Sequence, residues 1–177
     1  MMVQMIKKFA PLLGVLLLLA GCKKDTVLPG FDMIYQEEFS LPAGIGGLAT
    51  HHFYFKNIPT RYQNLLSQYS KADTAIVQII PARAAISGIF GDANFAVVEE
   101  ASLWVYQEND PNGRLEVFYR YPTPIDPSNA LDLIPTLEQV KSIMSEDRFS
   151  IDLALRLRTT TTEETPVRLY LQLKANY

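Results

Sequence analysis

The chain is poor in the residues that build metal centres and disulfide frameworks. Its 177 residues include one cysteine and two histidines, His51 and His52. A single thiol cannot form an internal disulfide. Adjacent residues of a strand point to opposite faces of a sheet, so these histidines cannot easily bind one ion together. Zinc sites take three or four Cys, His or carboxylate ligands. The sequence therefore predicts neither a metal site nor a bound cofactor.

The common catalytic motifs are also absent. The sequence contains no G-x-S-x-G nucleophile elbow and no G-x-x-x-x-G-K-[ST] phosphate loop. The segment ENDPNG begins like a calcium-binding loop, but Tyr119 occupies the position that requires a bidentate acid. Acidic pairs such as Glu99 and Glu100 are sequence neighbours, whereas sugar hydrolysis needs two acids across a cleft. We predict a protein that is not an enzyme and has no catalytic residues, with a glycan- or peptide-processing hydrolase as the alternative.

An excess of positive charge is missing as well. The chain has 16 basic and 19 acidic side chains, and two of the lysines lie in the first 21 residues. The remainder carries 14 basic and 19 acidic side chains, a net charge of −5. Nucleic-acid binding needs clustered Lys and Arg, so we predict no nucleic-acid partner. A hydrophobic content of 48% and this length are typical of a single folded domain.

The longest apolar run lies at the amino terminus and is short. Lys7 and Lys8 precede FAPLLGVLLLLAG, an uncharged segment at residues 9–21. A helix that crosses a bilayer needs about 20 apolar residues. A basic start, a short apolar middle and small residues at the end are typical of a secretory signal peptide. The sequence predicts that residues 1–21 are such a signal.

The signal ends in LAGC, at residues 19–22. This segment resembles the lipobox of bacterial lipoproteins. The resemblance implies that Cys22 becomes the first mature residue, with diacylglycerol on its sulfur and an acyl chain on its amine. Two or three such chains anchor a protein firmly, because each buried CH₂ contributes about 0.8 kcal/mol. The resemblance also implies anchoring to the outer membrane, because no aspartate directly follows Cys22, and it leaves the leaflet open.

Beyond a tether at residues 22–30, the sequence predicts one domain over residues 31–177. Period-two alternation is the main signal. The clearest strands are FSIDLALRLR and VRLYLQLKA, which we expect to pair as a hairpin across the polar loop TTTTEETP. A second predicted hairpin joins ASLWVYQ to RLEVFYR, and four weaker strands precede it: FDMIYQEEF, THHFYFKN, TAIVQIIP and RAAISGIF.

Helical spacing is confined to two short segments. PTRYQNLLSQY places apolar residues on one helical face, and TLEQVKSIM opens with Thr136 and Gln139 in capping-box spacing. Many short strands and few helices favour an all-β fold, an antiparallel two-sheet β-sandwich of about eight strands with one or two short helices. A small β-barrel is the alternative, because periodicity alone does not separate the two.

The outward face of the last predicted hairpin is the candidate binding surface. It carries four cations and one aromatic ring: Arg156, Arg158, Arg168, Tyr170 and Lys174. Such a face could meet an acidic glycan or an envelope protein. A sugar platform is also conceivable at Trp104, Tyr106, Tyr119 or Tyr121. We therefore expect a lipid-anchored envelope lipoprotein that acts as a non-catalytic binding or assembly module, or alternatively as a structural accessory subunit of an envelope complex.

Overall fold

The structure is a computed structural model that describes residues 28–47, 49–91, 93–126 and 128–177. The predicted signal peptide and Cys22 lie outside the described residues. The described domain is all-β, as predicted. Its strands are β1 (Gly30–Leu41), β2 (Thr50–Pro59), β3 (Gln78–Gly88), β4 (Val98–Gln107), β5 (Asp110–Arg120), β6 (Ala130–Pro135), β7 (Arg148–Leu157) and β8 (Thr165–Asn176). The helices are α1 (Tyr62–Gln68) and α2 (Lys141–Met144), with short 3₁₀ turns at Asp73–Ala75 and Phe95–Val97.

The eight strands are antiparallel and hydrogen-bonded in the order β1-β8-β3-β6-β5-β4-β7-β2. The β5–β6 ladder is short, with the pairs Phe118–Pro135 and Tyr119–Ile134. The sheet bends there into two layers, β1-β8-β3-β6 and β2-β7-β4-β5. This order of two interleaved four-stranded layers is that of a jelly roll. The fold therefore combines the two layers of the predicted sandwich with the nearly closed sheet of the barrel alternative.

The core lies between the two layers. Aromatic rings bridge β1 to the opposite layer, with the centroids of Tyr35 and Phe149 4.8 Å apart and those of Phe39 and Phe53 4.7 Å apart. The alternating apolar residues of β7 and β8 point inward as predicted, and all are almost fully buried: Phe149, Ile151, Leu153, Leu155, Leu157, Val167, Leu169, Leu171 and Leu173. Burial of each large side chain contributes about 1.5–3 kcal/mol, so these two strands supply much of the stability.

The predicted hairpin between β7 and β8 is wrong. β8 pairs with β1 and β3, whereas β7 pairs with β2 and β4 in the other layer. The polar connection after Leu157 therefore crosses between layers instead of turning within one. Alternation identifies the buried face of a strand but not its partner. The β4–β5 hairpin is confirmed, with Gln107 opposite Asp110 and the turn at Glu108 and Asn109. Pro111, Asn112 and Gly113, the residues whose type predicts a turn in ENDPNG, lie within β5 instead.

The number of strands agrees with the prediction because two errors in the predicted strands cancel. β3 is one continuous strand, and a register shift between Pro81 and Arg83 accommodates the proline that we expected to separate two strands. β6 lies at Ala130–Pro135, where no strand is predicted from the sequence. One merged pair and one missed strand leave the total at eight.

The first predicted helix is confirmed and the second is displaced. α1 buries Tyr62 and Leu66 against the core. α2 begins only at Lys141, so the capping box predicted at Thr136 is wrong. The Thr136 hydroxyl instead donates to the carbonyl oxygen of Glu116 at 2.8 Å, and Leu137 is fully exposed. None of the helices in the described part of the chain is both long and apolar enough to span a bilayer.

The jelly roll has two distinct ends. Gly30 at the start of β1 pairs with Asn176 at the end of β8, and Gln78 at the start of β3 pairs with the same residue. We call this the tether end, because the described chain begins there. The connections β2–β3, β4–β5 and β6–β7 also lie at the tether end. The other four connections lie at the opposite end, which we call the far end.

Candidate functional site

The solvent side of the β2-β7-β4-β5 layer is unusual because the middle of β7 is buried on both faces. Its outward side chains Ser150, Asp152 and Ala154 are only 0%, 1% and 4% exposed. β7 lies between β2 and β4, and large side chains of the neighbouring strands cover it. A buried carboxylate is costly unless charged or hydrogen-bonding groups compensate it. Asp152 must therefore be held by specific partners.

Those partners come from two different strands. The Asp152 Oδ1 atom lies 2.8 Å from His52 Nδ1 on β2, and Oδ2 accepts a hydrogen bond of 3.2 Å from Arg114 Nη1 on β5. The guanidinium carbon of Arg114 lies 5.2 Å from the centre of the Trp104 ring, close enough for a cation–π contact. One carboxylate thus fixes a histidine and an arginine at the surface, and a tryptophan supports the arginine.

The strand register explains why these side chains meet. Directly opposite residues of antiparallel strands project from the same face. One row across the layer is Tyr54, Asp152, Trp104 and Glu116, and the next is His52, Ala154, Ser102 and Tyr119. In the second row, the small residues Ala154 and Ser102 lie between His52 and Tyr119. The protein surface between those two rings is therefore recessed.

Several aromatic rings of this face reach solvent. Tyr54 is 56% exposed and Tyr119 is 39% exposed. The Tyr54 ring stacks on His52 with a centroid separation of 5.8 Å and an interplanar angle of 11°. We call His52, Tyr54, Trp104, Arg114, Tyr119 and Asp152 the sheet-face cluster. It combines accessible ring surface with two oriented nitrogen-bearing side chains.

Tyr106 adjoins the cluster but does not reach solvent. Burial raises the pKa of Tyr106, and the negative charges of Glu108 and Asp152 act in the same direction. The phenol therefore stays neutral over the physiological range. Tyr121 follows the end of β5 and is exposed at the far end, away from the cluster.

Two further cations of this face lie beside carboxylates. Arg156 Nε lies 3.2 Å from Glu99 Oε2, and Lys56 Nζ lies 3.6 Å from Glu108 Oε1. The Arg114 charge is matched by Asp152. The face consequently presents no large field of one sign to a ligand.

The predicted binding residues on β7 have separate roles. Arg156 lies on the outer face beside the sheet-face cluster, opposite Thr50 and Glu100. Arg158 lies just beyond the strand, where its guanidinium donates to the carbonyl oxygens of Ala96, Val98 and Thr123, the first at 2.9 Å and the last at 2.8 Å. Arg158 therefore ties two far-end loops together.

The other predicted binding residues lie on β8, on the outer face of the opposite layer. Arg168 donates to Glu38 Oε1 from both Nη2 and Nε, at 2.6 and 3.1 Å. Tyr170 donates to Gln172 Oε1 at 3.0 Å, and Lys174 lies opposite Asp32. The five residues are thus divided between the two layers and do not form one surface.

Sequence reasoning missed the centre of the sheet-face cluster. It considered His52 as a metal ligand, rejected that role and proposed no other, and it did not single out Asp152. The available signal was the pair His52 and Tyr54, two positions apart in THHFYFKN. That signal could not identify Asp152, because Asp152 contacts His52 at 2.8 Å but lies 100 positions further along the chain. Among the described residues, no group of three His, Cys, Asp or Glu side chains is placed to hold a metal ion.

Comparisons with known proteins identify no family for this chain. No family model matches it, and no curated protein matches it. Among solved structures, a desmodium yellow mottle tymovirus chain aligns with a TM-score of 0.26 at 12% identity, covering 87% of this chain and 91% of that one. The decameric BFDV capsid protein aligns with a TM-score of 0.33 at 11% identity, covering 84% and 99%. Similarities this weak add nothing to the strand order described above.

Proposed function

We propose that this protein is a lipid-anchored, non-catalytic module of the bacterial cell envelope that binds a neutral glycan. The sheet-face cluster is the observation that supports glycan binding, because exposed rings share one face with a histidine and an arginine held by buried Asp152. The LAGC segment supports the lipid anchor on Cys22 and an outer-membrane location.

The chemistry of the cluster suits a sugar ring. Aromatic faces are apolar and pack against the apolar C–H face of a pyranose, and polar ring edges and hydroxyls remain free. Sugar hydroxyls need donors and acceptors in fixed directions. Asp152 holds His52 and Arg114 in place before any ligand arrives, which lowers the entropy cost of binding.

The charge pattern favours a neutral ligand over an acidic one. The cations nearest the cluster already lie beside carboxylates, in the Arg156–Glu99 and Arg114–Asp152 pairs. An acidic glycan would compete with those carboxylates for the same guanidinium groups. A nucleic acid would also meet the overall excess of acidic side chains.

The test is a glycan array probed with the lipidated protein in detergent. We expect binding to neutral glycans, and we expect Tyr54→Ala and Tyr119→Ala each to weaken it about tenfold, equivalent to ~1.4 kcal/mol of lost stacking. Tyr170→Ala is the matched control, because Tyr170 is an outward tyrosine on the opposite layer. Blank arrays, or equal losses in all three variants, would contradict the proposal.

The anchor has its own test. Mass spectrometry of the amino-terminal peptide from isolated membranes should show Cys22 as the first residue, with a mass increase matching two or three fatty chains. An unmodified thiol at Cys22, or a chain that still carries residues 1–21, would refute the lipoprotein assignment and leave the glycan-binding proposal to be judged by the array.

A further inference from the structure

The tether end exposes apolar side chains that the fold itself does not cover. Leu28 is 43% exposed, Val77 is 63% exposed and Leu137 is fully exposed. Exposed apolar residues are ordinary by themselves, and Phe90 and Ile125 are exposed at the far end too. The group at the tether end differs because it lies beside the predicted lipid tether.

Hydrogen bonds bring the chain segments that carry these residues to the end of β8. The Tyr177 amide donates to the Pro29 carbonyl at 2.9 Å, and the Val77 amide donates to the Asn176 carbonyl at 2.9 Å. These bonds place the segments of Leu28 and Val77 on either side of the last residues of β8. The Gln139 side-chain amide donates to the Val77 carbonyl at 3.2 Å, which brings the loop that carries Leu137 to the same place. We call Leu28, Val77 and Leu137 the end patch.

Lysines border the end patch. Lys71 Nζ lies 4.0 Å from the centre of the Tyr177 ring, and Lys141 Nζ donates to the Ile76 carbonyl at 2.8 Å. Of the nearby acids, Asp73 pairs with Lys141 at 3.5 Å and Glu138 is exposed. Apolar side chains with lysines and a tyrosine at their border are typical of surfaces that rest at a membrane interface.

We infer that the end patch docks on the lipid bilayer that holds the anchor. This inference rests on the lipid anchor of the proposed function. Leu28 is the sixth residue after Cys22, so at about 3.4 Å per residue Leu28 lies within ~20 Å of the lipid-bearing residue. The described chain enters the domain at the patch itself, which is therefore the part of the surface nearest the bilayer.

This orientation determines what the rest of the domain can reach. β3 runs for 11 residues from Val77 toward Phe90, so the far end lies more than about 30 Å from the patch. With the patch on the bilayer, the strands are oriented closer to the membrane normal than to the membrane plane. The sheet-face cluster faces sideways, and the far-end loops project into the medium, where a glycan of the envelope is accessible to both.

Single-cysteine labelling tests the docking, because the chain has one natural cysteine and lipid would occupy its sulfur. Full-length Leu137→Cys, Val77→Cys and Phe90→Cys variants are produced with their lipid, labelled with an environment-sensitive fluorophore and reconstituted into vesicles with and without a lipid-borne quencher. Phe90 is the matched control, since it is 76% exposed and lies beyond the other end of β3. Labels at positions 137 and 77 should shift to the blue and be quenched, whereas the label at position 90 should show neither effect.

The outcomes separate the inference from the proposed function. A second labelled thiol, at Cys22, or a protein that does not float with the vesicles would refute the anchor. An anchored protein whose labels at positions 137 and 77 behave as in water would overturn the docking alone. Quenching of the label at position 90 would also overturn it, because the domain would then lie on its side.

Discussion

The outer faces of β7 and β8 have the same sequence pattern and opposite environments. Both strands alternate apolar residues with polar or small ones, and both bury the apolar set in the shared core. On the outer side, Ser150 and Asp152 of β7 are buried, whereas Arg168, Tyr170 and Lys174 of β8 stay partly exposed. The neighbours make the difference, because β2 and β4 carry Tyr54 and Trp104 on that face. Period-two alternation thus shows which residues enter the core but not what covers the other side.

The largest expected effect is at the buried carboxylate of β7. Asp152→Asn keeps the size of the side chain but removes the charge that His52 and Arg114 share. Hydrogen bonds to charged groups contribute about 1.5–3 kcal/mol, and Arg114 is half-exposed and can turn to water, so we expect unfolding free energy to fall by about 2–3 kcal/mol. Urea unfolding measures the loss, and glycan affinity should fall with it because both partners lose their positions.

The matched change on the other layer is Glu38→Gln, which removes a carboxylate from an exposed ion pair with Arg168. Exposed pairs contribute about 0–1 kcal/mol, so this variant should unfold close to the wild type. Equal losses in the Asp152 and Glu38 variants would mean that the two outer faces do not differ energetically.

A second contrast separates two arginines that the sequence placed on one surface. Arg158→Met should lower unfolding free energy by about 2 kcal/mol, because it removes the guanidinium donor to the carbonyl oxygens of Ala96 and Thr123 and one of the two donors to that of Val98. Arg168→Met, at a half-exposed ion pair, should cost less than about 1 kcal/mol. Proteolysis at the far-end loops gives a local readout, and faster cleavage is expected only in the Arg158 variant.

These contrasts show how far the sequence alone could go. The all-β class, the inward residues of β7 and β8 and the β4–β5 hairpin follow from local alternation, and the structure confirms them. The pairing of β7 with β2 and β4, and of β8 with β1 and β3, depends on contacts across most of the chain. Local patterns contain no such information. The sheet-face cluster is a product of that pairing, so its centre at Asp152 could not be predicted.

A smaller effect than those at Asp152 and Arg158 concerns a buried polar group that faces the core instead of the solvent. Tyr35 on β1 points inward and donates to the Thr60 carbonyl at 2.6 Å. Burial raises the pKa of Tyr35 above its usual 10.0, although Arg61 acts in the opposite direction. The unfolded chain then releases this proton at lower pH than the folded chain, so stability is intact below pH 10.0 and falls as pH rises further. Between about pH 10 and pH 11, the unfolding free energy of the wild type should therefore fall by about 1 kcal/mol more than that of Tyr35→Phe. Urea midpoints of both proteins at the two pH values measure this, and parallel losses would show that Tyr35 ionises equally readily in both states.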